Sequence, residues 1–335
     1  MSKKRAKVGI IFCGGSGVQN SEGRIIKVSN NLDVEIWLKE VSELTLIADL
    51  EPHFLFDGSS MDATPKAWIQ IAKKINEIYR HVSGIVIIHN LDSVIYTASM
   101  ISFMLQGLNK PIVFTGSALT GEANKIIKGV VNYNNLGVRA NLINAIQIAT
   151  MDFAEVVISF GNRILRANQA IKGMYPSMNY FQEFSSGLVG RVDFGIKLFE
   201  NIKKNKKSKL DIQYNIDHRL GTMCIEPTTL PEQFTPNFFR GYDALLIRSY
   251  VSDPFPSSFF PYLRLAYERQ IPVVVHNIYD KFNESSHAEY IVINTMTYEA
   301  TLTKCLWVLG KVKEPEIFKK VMYQNISGEI NQSFL

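Results

Sequence analysis

One carboxylate and one amine, Asp92 and Lys172, are the sharpest chemical candidates in this 335-residue chain. Asp92 follows the apolar run Gly84–His89, and Lys172 closes the segment Asn162–Lys172 that follows Glu155–Phe160. If the two meet, each shifts the other's pKa, and a desolvated lysine can serve as a general base. If they never meet, they are ordinary surface charges. Small hydroxyls stand at the ends of other apolar runs: Ser16 within Gly14-Gly15-Ser16-Gly17, Ser59 and Ser60 after Phe54–Phe56, Ser93 beside Asp92, and Ser117 after Thr115-Gly116. A hydroxyl flanked by glycines can attack a carbonyl when a base is near. Hydroxyls with one carboxylate and one lysine suit a small polar ligand bearing a carboxylate or amide, and do not suit a dinucleotide.

Familiar motifs fail on this glycine-rich turn. Asn20 stands where G-x-G-x-x-G needs its last glycine, and no Gly-Lys-Ser/Thr follows. Val18 replaces the last glycine of G-x-S-x-G. A flexible turn is therefore the plain alternative. His53, His81, His89, His218, His276 and His287 form no H-E-x-x-H pattern or cluster, so no metal site is expected. His89 closes an apolar run and reads as a hydrogen-bonded buried imidazole. Cys13, Cys224 and Cys305 are odd in number and far apart, which excludes a CxxC site and a disulfide framework.

The elements that must position these residues alternate. Val8–Phe12, Phe54–Phe56, Gly84–His89, Pro111–Thr115 and Glu155–Phe160 read as short buried strands. Between them lie helical patterns: one opened by Thr64-Pro65 with Trp68, Ile71, Ala72, Ile75 and Ile78 on one face, one through Tyr96, Met100, Phe103 and Met104, and one over Asn141–Ala149. A βαβα order predicts a doubly wound, mostly parallel α/β sheet. In such sheets ligands bind past the carboxyl ends of the strands, where all the candidates fall. The apolar pattern lapses over Ile202–Asn215 and resumes with strands at Ala244–Ile247 and Pro272–His276 and helices at Phe259–Arg269 and Met296–Leu309. The expected organisation is a large α/β domain over 1–201, a linker over 202–216 and a smaller α/β domain over 217–335.

Composition narrows the partners. Lys and Arg number 36 against 31 Asp and Glu, a net charge of +5. The excess sits in Lys3, Lys4, Arg5 and Lys7 and in the run Lys203, Lys204, Lys206, Lys207 and Lys209; the rest of the chain holds 27 bases against 31 acids. Two isolated runs without interleaved aromatics read as a frayed end and a solvated linker, so no nucleic-acid partner is expected. No apolar stretch approaches the ~18 residues of a membrane span, and the run after the basic start is too short for a signal peptide. A cytoplasmic protein without a membrane partner is the expectation.

Ile88-His89-Asn90-Leu91-Asp92-Ser93 and the helix after it resemble the His-Gly-Thr-Asp-Thr motif of the bacterial-type L-asparaginase/glutaminase family, especially its cytoplasmic type I branch. Lys110–Ser117, Phe160–Lys172, Leu246–Tyr250 and Met296–Lys304 are similar to further type I segments, and the likeness runs from about Val8 to Gly310. The resemblance implies hydrolysis of an asparagine-type side-chain amide with release of ammonia, a small amino-acid ligand of the asparagine, aspartate or glutamine class, and a homodimer or homotetramer without cofactors. It assigns Ser16 to the nucleophile position and Asp92 and Lys172 to the motif aspartate and lysine. Gly15, Ser59, Ser60, Ser93 and Ser117 become substrate-binding candidates, and Arg248 falls on the arginine of an effector site.

The sequence also departs from the pattern. Leu91 stands at the motif threonine, Asn90 at a glycine, and Gly17–Asn30 holds no tyrosine where the family has one on a lid. His276–Glu289 has no glycine where the family has a Gly-rich segment, and Ile171 stands at the effector-site threonine before the lysine, which counts against effector control. Residues of one catalytic unit act together, so Leu91 and the missing tyrosine predict weakened or lost catalysis. The alternative is a non-catalytic binding or structural subunit. A glutaminase subunit of a tRNA-dependent amidotransferase is a third option, disfavoured because the first strand starts at Val8.

Overall fold

Four buried apolar runs, within Lys7–Phe12, Gly84–Ile88, Ile112–Thr115 and Val156–Phe160, build the centre of the larger sheet, because strands covered on both faces carry apolar residues continuously. The computed structural model describes residues 5–13, 18–19, 25–26, 28–56, 64–116, 133–173, 180–234, 239–249, 256–277 and 289–331, without the side chains of 18–19, 25–26 and 133–138. Contacts divide the chain into two units, Met1–Gln213 and Tyr214–Leu335.

In the first unit the strands are β1 (Lys7–Phe12), β2 (Asp49–Phe54), β3 (Gly84–Ile88), β4 (Ile112–Thr115), β5 (Val156–Phe160), β6 (Arg163–Arg166), β7 (Ala170–Lys172), β8 (Phe181–Glu183), β9 (Leu188–Val192) and β10 (Ile196–Leu198). Eight of them form one sheet in the order β10-β9-β6-β5-β4-β3-β1-β2. The run from β2 to β5 is parallel, while β6, β9 and β10 add antiparallel. β2 carries Pro52, which an edge strand tolerates because one side of its backbone needs no partner. The mixed α/β fold with a mostly parallel sheet is as the alternation predicts.

Helices cover both faces. Asn30 caps α1 (Asn31–Glu40) by accepting from the Asp33 amide at 3.0 Å. Thr64 caps α2 (Pro65–Ile78), whose Trp68, Ile71, Ala72, Ile75 and Ile78 are buried. α3 (Val94–Met104) is apolar all round and buried on nearly every side, as a helix enclosed by its neighbours must be. α4 (Tyr133–Ala149) begins earlier than Asn141. Val34, Trp37 and Leu38 of α1 and Leu142, Ala145 and Ile146 of α4 pack with Val8, Ile10, Val86 and Val113 in one core.

Residues 202–213 belong to the first unit. Ile202 is buried in its core, and the Lys203 amide donates to Glu155 at 3.1 Å while its carbonyl accepts from Ala154 at 2.9 Å. Ser208 donates to the Gly107 carbonyl at 2.9 Å, and Asp211–Ile212 pairs antiparallel with Leu105–Gln106. Polar side chains make this segment read as a linker; specific backbone and Ser208 hydroxyl bonds, invisible in composition, tie it to the first unit.

In the second unit, β11 (Leu220–Ile225), β12 (Ala244–Ser249), β13 (Val273–His276) and β14 (Ile291–Ile293) form a parallel sheet in chain order. Its helices are α5 (Phe260–Glu268), α6 (Tyr298–Leu309) and α7 (Pro315–Met322). Phe234, Phe259, Leu263, Val273 and Val275 lie in its core. Lys304 of α6 is wholly buried, paired with Glu329 at 2.6 Å and donating to the Met322 carbonyl at 2.9 Å. Glu329 accepts from the Ile326 and Ser327 amides at 2.9 and 2.7 Å, which fastens the turns after α7 to α6.

Candidate functional site

The carboxyl ends of β3 and β4 approach closely. The His89 amide donates to the Thr115 carbonyl at 2.9 Å. A Cβ at Gly116 would lie 2.1 Å from the His89 carbonyl and 3.0 Å from Leu91 Cδ2, so only glycine lets the two strand ends meet. Leu91 is thereby buried, with 5% of its surface exposed. The chain then turns outward: Asn90 Oδ1 accepts from the Asp92 amide at 2.7 Å, an Asx turn that presents Asp92 ahead of α3.

Lys172 reaches the same place from the segment that follows β6. After β6 a 3-10 turn over Ala167–Gln169 leads into β7, which pairs antiparallel with β8. Lys172 Nζ donates to Asp92 Oδ1 at 2.7 Å. Both remain accessible, with 63% of the Asp92 and 41% of the Lys172 side chain exposed. Tyr180, just before β8, donates its hydroxyl to the same Oδ1 at 3.4 Å, and its ring centroid lies 5.2 Å from Lys172 Nζ.

The hydrogen bond from Lys172 holds the Asp92 carboxyl below its ordinary range, and Asp92 in turn holds the Lys172 ammonium above its own. At neutral pH the pair is a carboxylate and an ammonium. Such a pair can grip a zwitterion or an amide. As a base it is poor, because the lysine must first release a proton that the carboxylate stabilises.

Burial pushes His89 down to about 4, so it is a neutral imidazole. Its Nδ1 lies 2.9 Å from the Asn90 carbonyl, the hydrogen-bonded buried role read from the sequence. Ser93 opens α3 without a capping bond. Its buried Oγ has no hydrogen-bond partner among the described residues.

Of the sequence-derived candidates, Asp92, Lys172 and the adjacent Ser93 come to one strand-end region. Gly15, Ser16, Ser59, Ser60 and Ser117 lie outside the described residues. Arg248 stands in the second unit on β12, its guanidinium 5.3 Å from the Tyr298 ring centroid, in register with Cys224 and His276 on the neighbouring strands. His276 bonds the Met296 carbonyl through Nε2 at 3.0 Å, and burial pushes its pKa down to about 4. Sequence reasoning missed Tyr180. The available signal was an aromatic pair, Tyr180-Phe181, shortly after Lys172, as a hairpin partner would be. Among the described residues no three His, Cys, Asp or Glu side chains gather as a metal ion would need, and no helix is long and apolar enough to cross a membrane.

The family described as "Asparaginase, N-terminal" matches residues 7–204, more than half of the chain. The chain belongs to the asparaginase family. It is 31% identical to L-asparaginase 1 of Escherichia coli K12, over 98% of this chain and 99% of that protein, which places it on the type I branch of asparaginases. A glutamyl-tRNA(Gln) amidotransferase polypeptide of Methanothermobacter thermautotrophicus is 24% identical over 97% of this chain and 77% of its own. L-asparaginase I from Vibrio cholerae superposes with a TM-score of 0.81 at 25% identity, covering 98% of this chain and 99% of that one. The thermostable L-asparaginase from Thermococcus kodakarensis, at 24% identity and a TM-score of 0.79 over 97% and 99%, shares the asparaginase fold.

Proposed function

We propose that this asparaginase-family protein binds a small amino acid of the asparagine, aspartate or glutamine class and, where that ligand carries a side-chain amide as asparagine does, hydrolyses the amide slowly. The observation that carries this reading is the 2.7 Å contact between Lys172 and Asp92, joined at a strand-end opening from segments distant in sequence. In this reading the Ser16 oxygen attacks the amide carbon, the C–N bond breaks, and the nitrogen leaves as ammonia with the serine proton. Water then cleaves the ester and returns the hydroxyl. Leu91 gives the pair no hydroxyl from its own side, which lowers the rate of proton transfer.

The protonated state of Lys172 favours one competing reading, an amino-acid-binding protein without turnover. Ammonia release from L-Asn and L-Gln, measured with parent protein and Ser16→Ala, decides between them alongside thermal-shift titration of L-Asn and L-Asp. Release that vanishes in Ser16→Ala excludes the binding-only reading. Ligand-induced stabilisation with no ammonia excludes hydrolysis. Preference for L-Gln would move the protein toward its amidotransferase relatives. A cytoplasmic homodimer or homotetramer belongs to the same proposal, and sedimentation equilibrium tests the assembly. Arg248 is retained as an effector-site candidate, tested by whether Arg248→Ala alters the L-Asn response.

A further inference from the structure

The Asp92–Lys172 pair has a third member. Position 91 turns an apolar side chain onto Gly116, so no hydroxyl reaches the pair from the preceding residue. Among the described residues, the hydroxyl that does reach it is that of Tyr180, at 3.4 Å from Asp92 Oδ1. Several contacts fix this tyrosine. The Gly173 amide donates to the Tyr180 carbonyl at 2.8 Å, closing the β7–β8 hairpin immediately beyond Lys172. The ring packs against Phe181 at 5.0 Å and Phe160 at 6.0 Å between centroids, both in edge-on or tilted geometry. The aromatic wall thus sets the ring, and the ring sets the ammonium above it.

We propose that Tyr180 is a positioning residue of this site, its hydroxyl holding the Asp92 carboxylate and its ring seating the Lys172 ammonium. The inference rests on the reading of Asp92–Lys172 as the ligand-holding pair. A phenol approaching a carboxylate at 3.4 Å is a long hydrogen bond of the kind that tightens when a ligand closes the site. The cation–ring contact acts without ligand, and it favours the charged lysine in the same direction as the carboxylate does.

The test is trace acetylation of the full-length protein across pH 8 to 11.5, with peptide mass spectrometry reading each lysine separately. Asp92→Asn raises the Lys172 labelling rate most. Tyr180→Ala raises it about two- to fivefold at a given pH, the range expected for an exposed cation–π contact, and moves its midpoint down. Tyr180→Phe, which keeps the ring, raises it about twofold or less and lowers the affinity for L-Asp. Lys206 and Lys207, exposed on the first unit, serve as internal references. If Asp92→Asn shifts Lys172 but both Tyr180 variants leave the labelling profile and L-Asp affinity at parent values, Tyr180 has no positioning role and the pair survives. If Asp92→Asn also leaves Lys172 unchanged, the pair itself is overturned and this inference with it. Should Tyr180→Ala raise labelling at every lysine, the fold is damaged, and Tyr180→Phe decides through L-Asp affinity and the Lys172 profile.

Discussion

Replacing Leu91 with threonine separates a missing hydroxyl from a missing arrangement. Leu91 is nearly fully buried against Gly116. Threonine removes about two carbons of apolar packing, roughly 1.6 kcal/mol at 0.8 kcal/mol per buried methylene, and the partly filled space brings this to about 2 kcal/mol. A hydroxyl following the leucine into the same place faces the Gly116 side, where an unpaired one costs about 1–3 kcal/mol more. The expected loss is about 3–5 kcal/mol, a large share of a typical stability of about 5–15 kcal/mol. Urea unfolding read by Trp37 and Trp68, both buried in the first unit, measures it. Ammonia release should stay within about tenfold of the parent, below the hundredfold or more that a restored acid–base partner supplies. The leucine side chain is buried while the Asp92 and Lys172 side chains open outward. A hundredfold rise in ammonia release, with less than about 1 kcal/mol lost, would refute both the burial reasoning and the view that position 91 cannot serve the pair.

Asp92→Asn should change stability by under about 1 kcal/mol, because an exposed ion pair is solvent-screened, yet abolish the thermal-shift response to L-Asp; loss of several kcal/mol in urea would contradict this. Lys304→Met should cost the second unit about 3–5 kcal/mol by stranding a buried carboxylate, and adding Glu329→Gln should recover much of it, read from chemical denaturation of both variants. His89 and His276 both have folded pKa values pushed down to about 4 from the ordinary value of 6.5. The unfolded chain therefore binds their protons first, so stability is level above about pH 6.5 and falls as pH drops toward 4, by about 3 kcal/mol per histidine. Urea midpoints from pH 7.5 to 4.5 check the slope, and His276→Gln should flatten it in the second unit.

What was legible follows from how each element buries its side chains. The parallel strands β1, β3, β4 and β5 lie under helices on both faces, so they appear as unbroken apolar runs, and the residues after them mark the strand-end opening without any coordinates. β9 and β10 are short and partly exposed, with Arg191 and Lys197 among their residues, and leave no such trace. α1 escaped because Leu32 and Ile36 lie exposed, blurring its apolar stripe. The lysine run reads as a linker because composition reports charge, whereas its contacts run from the Lys203 backbone to Ala154 and Glu155 and from the Ser208 hydroxyl to the Gly107 carbonyl. Asp92 and Lys172 were readable as strand-end residues; Tyr180 was not, because only the β7–β8 register brings it back beside Lys172. Lys304 reads as a surface charge on a helix, and its burial depends on Glu329 arriving from the far end of the chain.

The two lysine–carboxylate pairs of this protein point to opposite uses. Lys304–Glu329 is sealed from water and every partner is satisfied by local carbonyls and amides, so its removal is felt as lost stability. Asp92–Lys172 is open to solvent, where a pair contributes little to folding. Its geometry is nonetheless fixed by an Asx turn at Asn90, a glycine that admits the neighbouring strand end, a hairpin closed at Gly173 and an aromatic wall behind Tyr180. Folding alone does not require an exposed pair to be held this closely. A ligand benefits, because ordering the long Lys172 side chain against Asp92 in advance removes that entropy from the binding step. The same order keeps Lys172 protonated, so the arrangement that favours holding an amino acid also slows any proton transfer through that lysine. Under the proposed function, binding should be firm relative to turnover, measurable as ligand affinity that Asp92→Asn removes while Ser16→Ala leaves it in place.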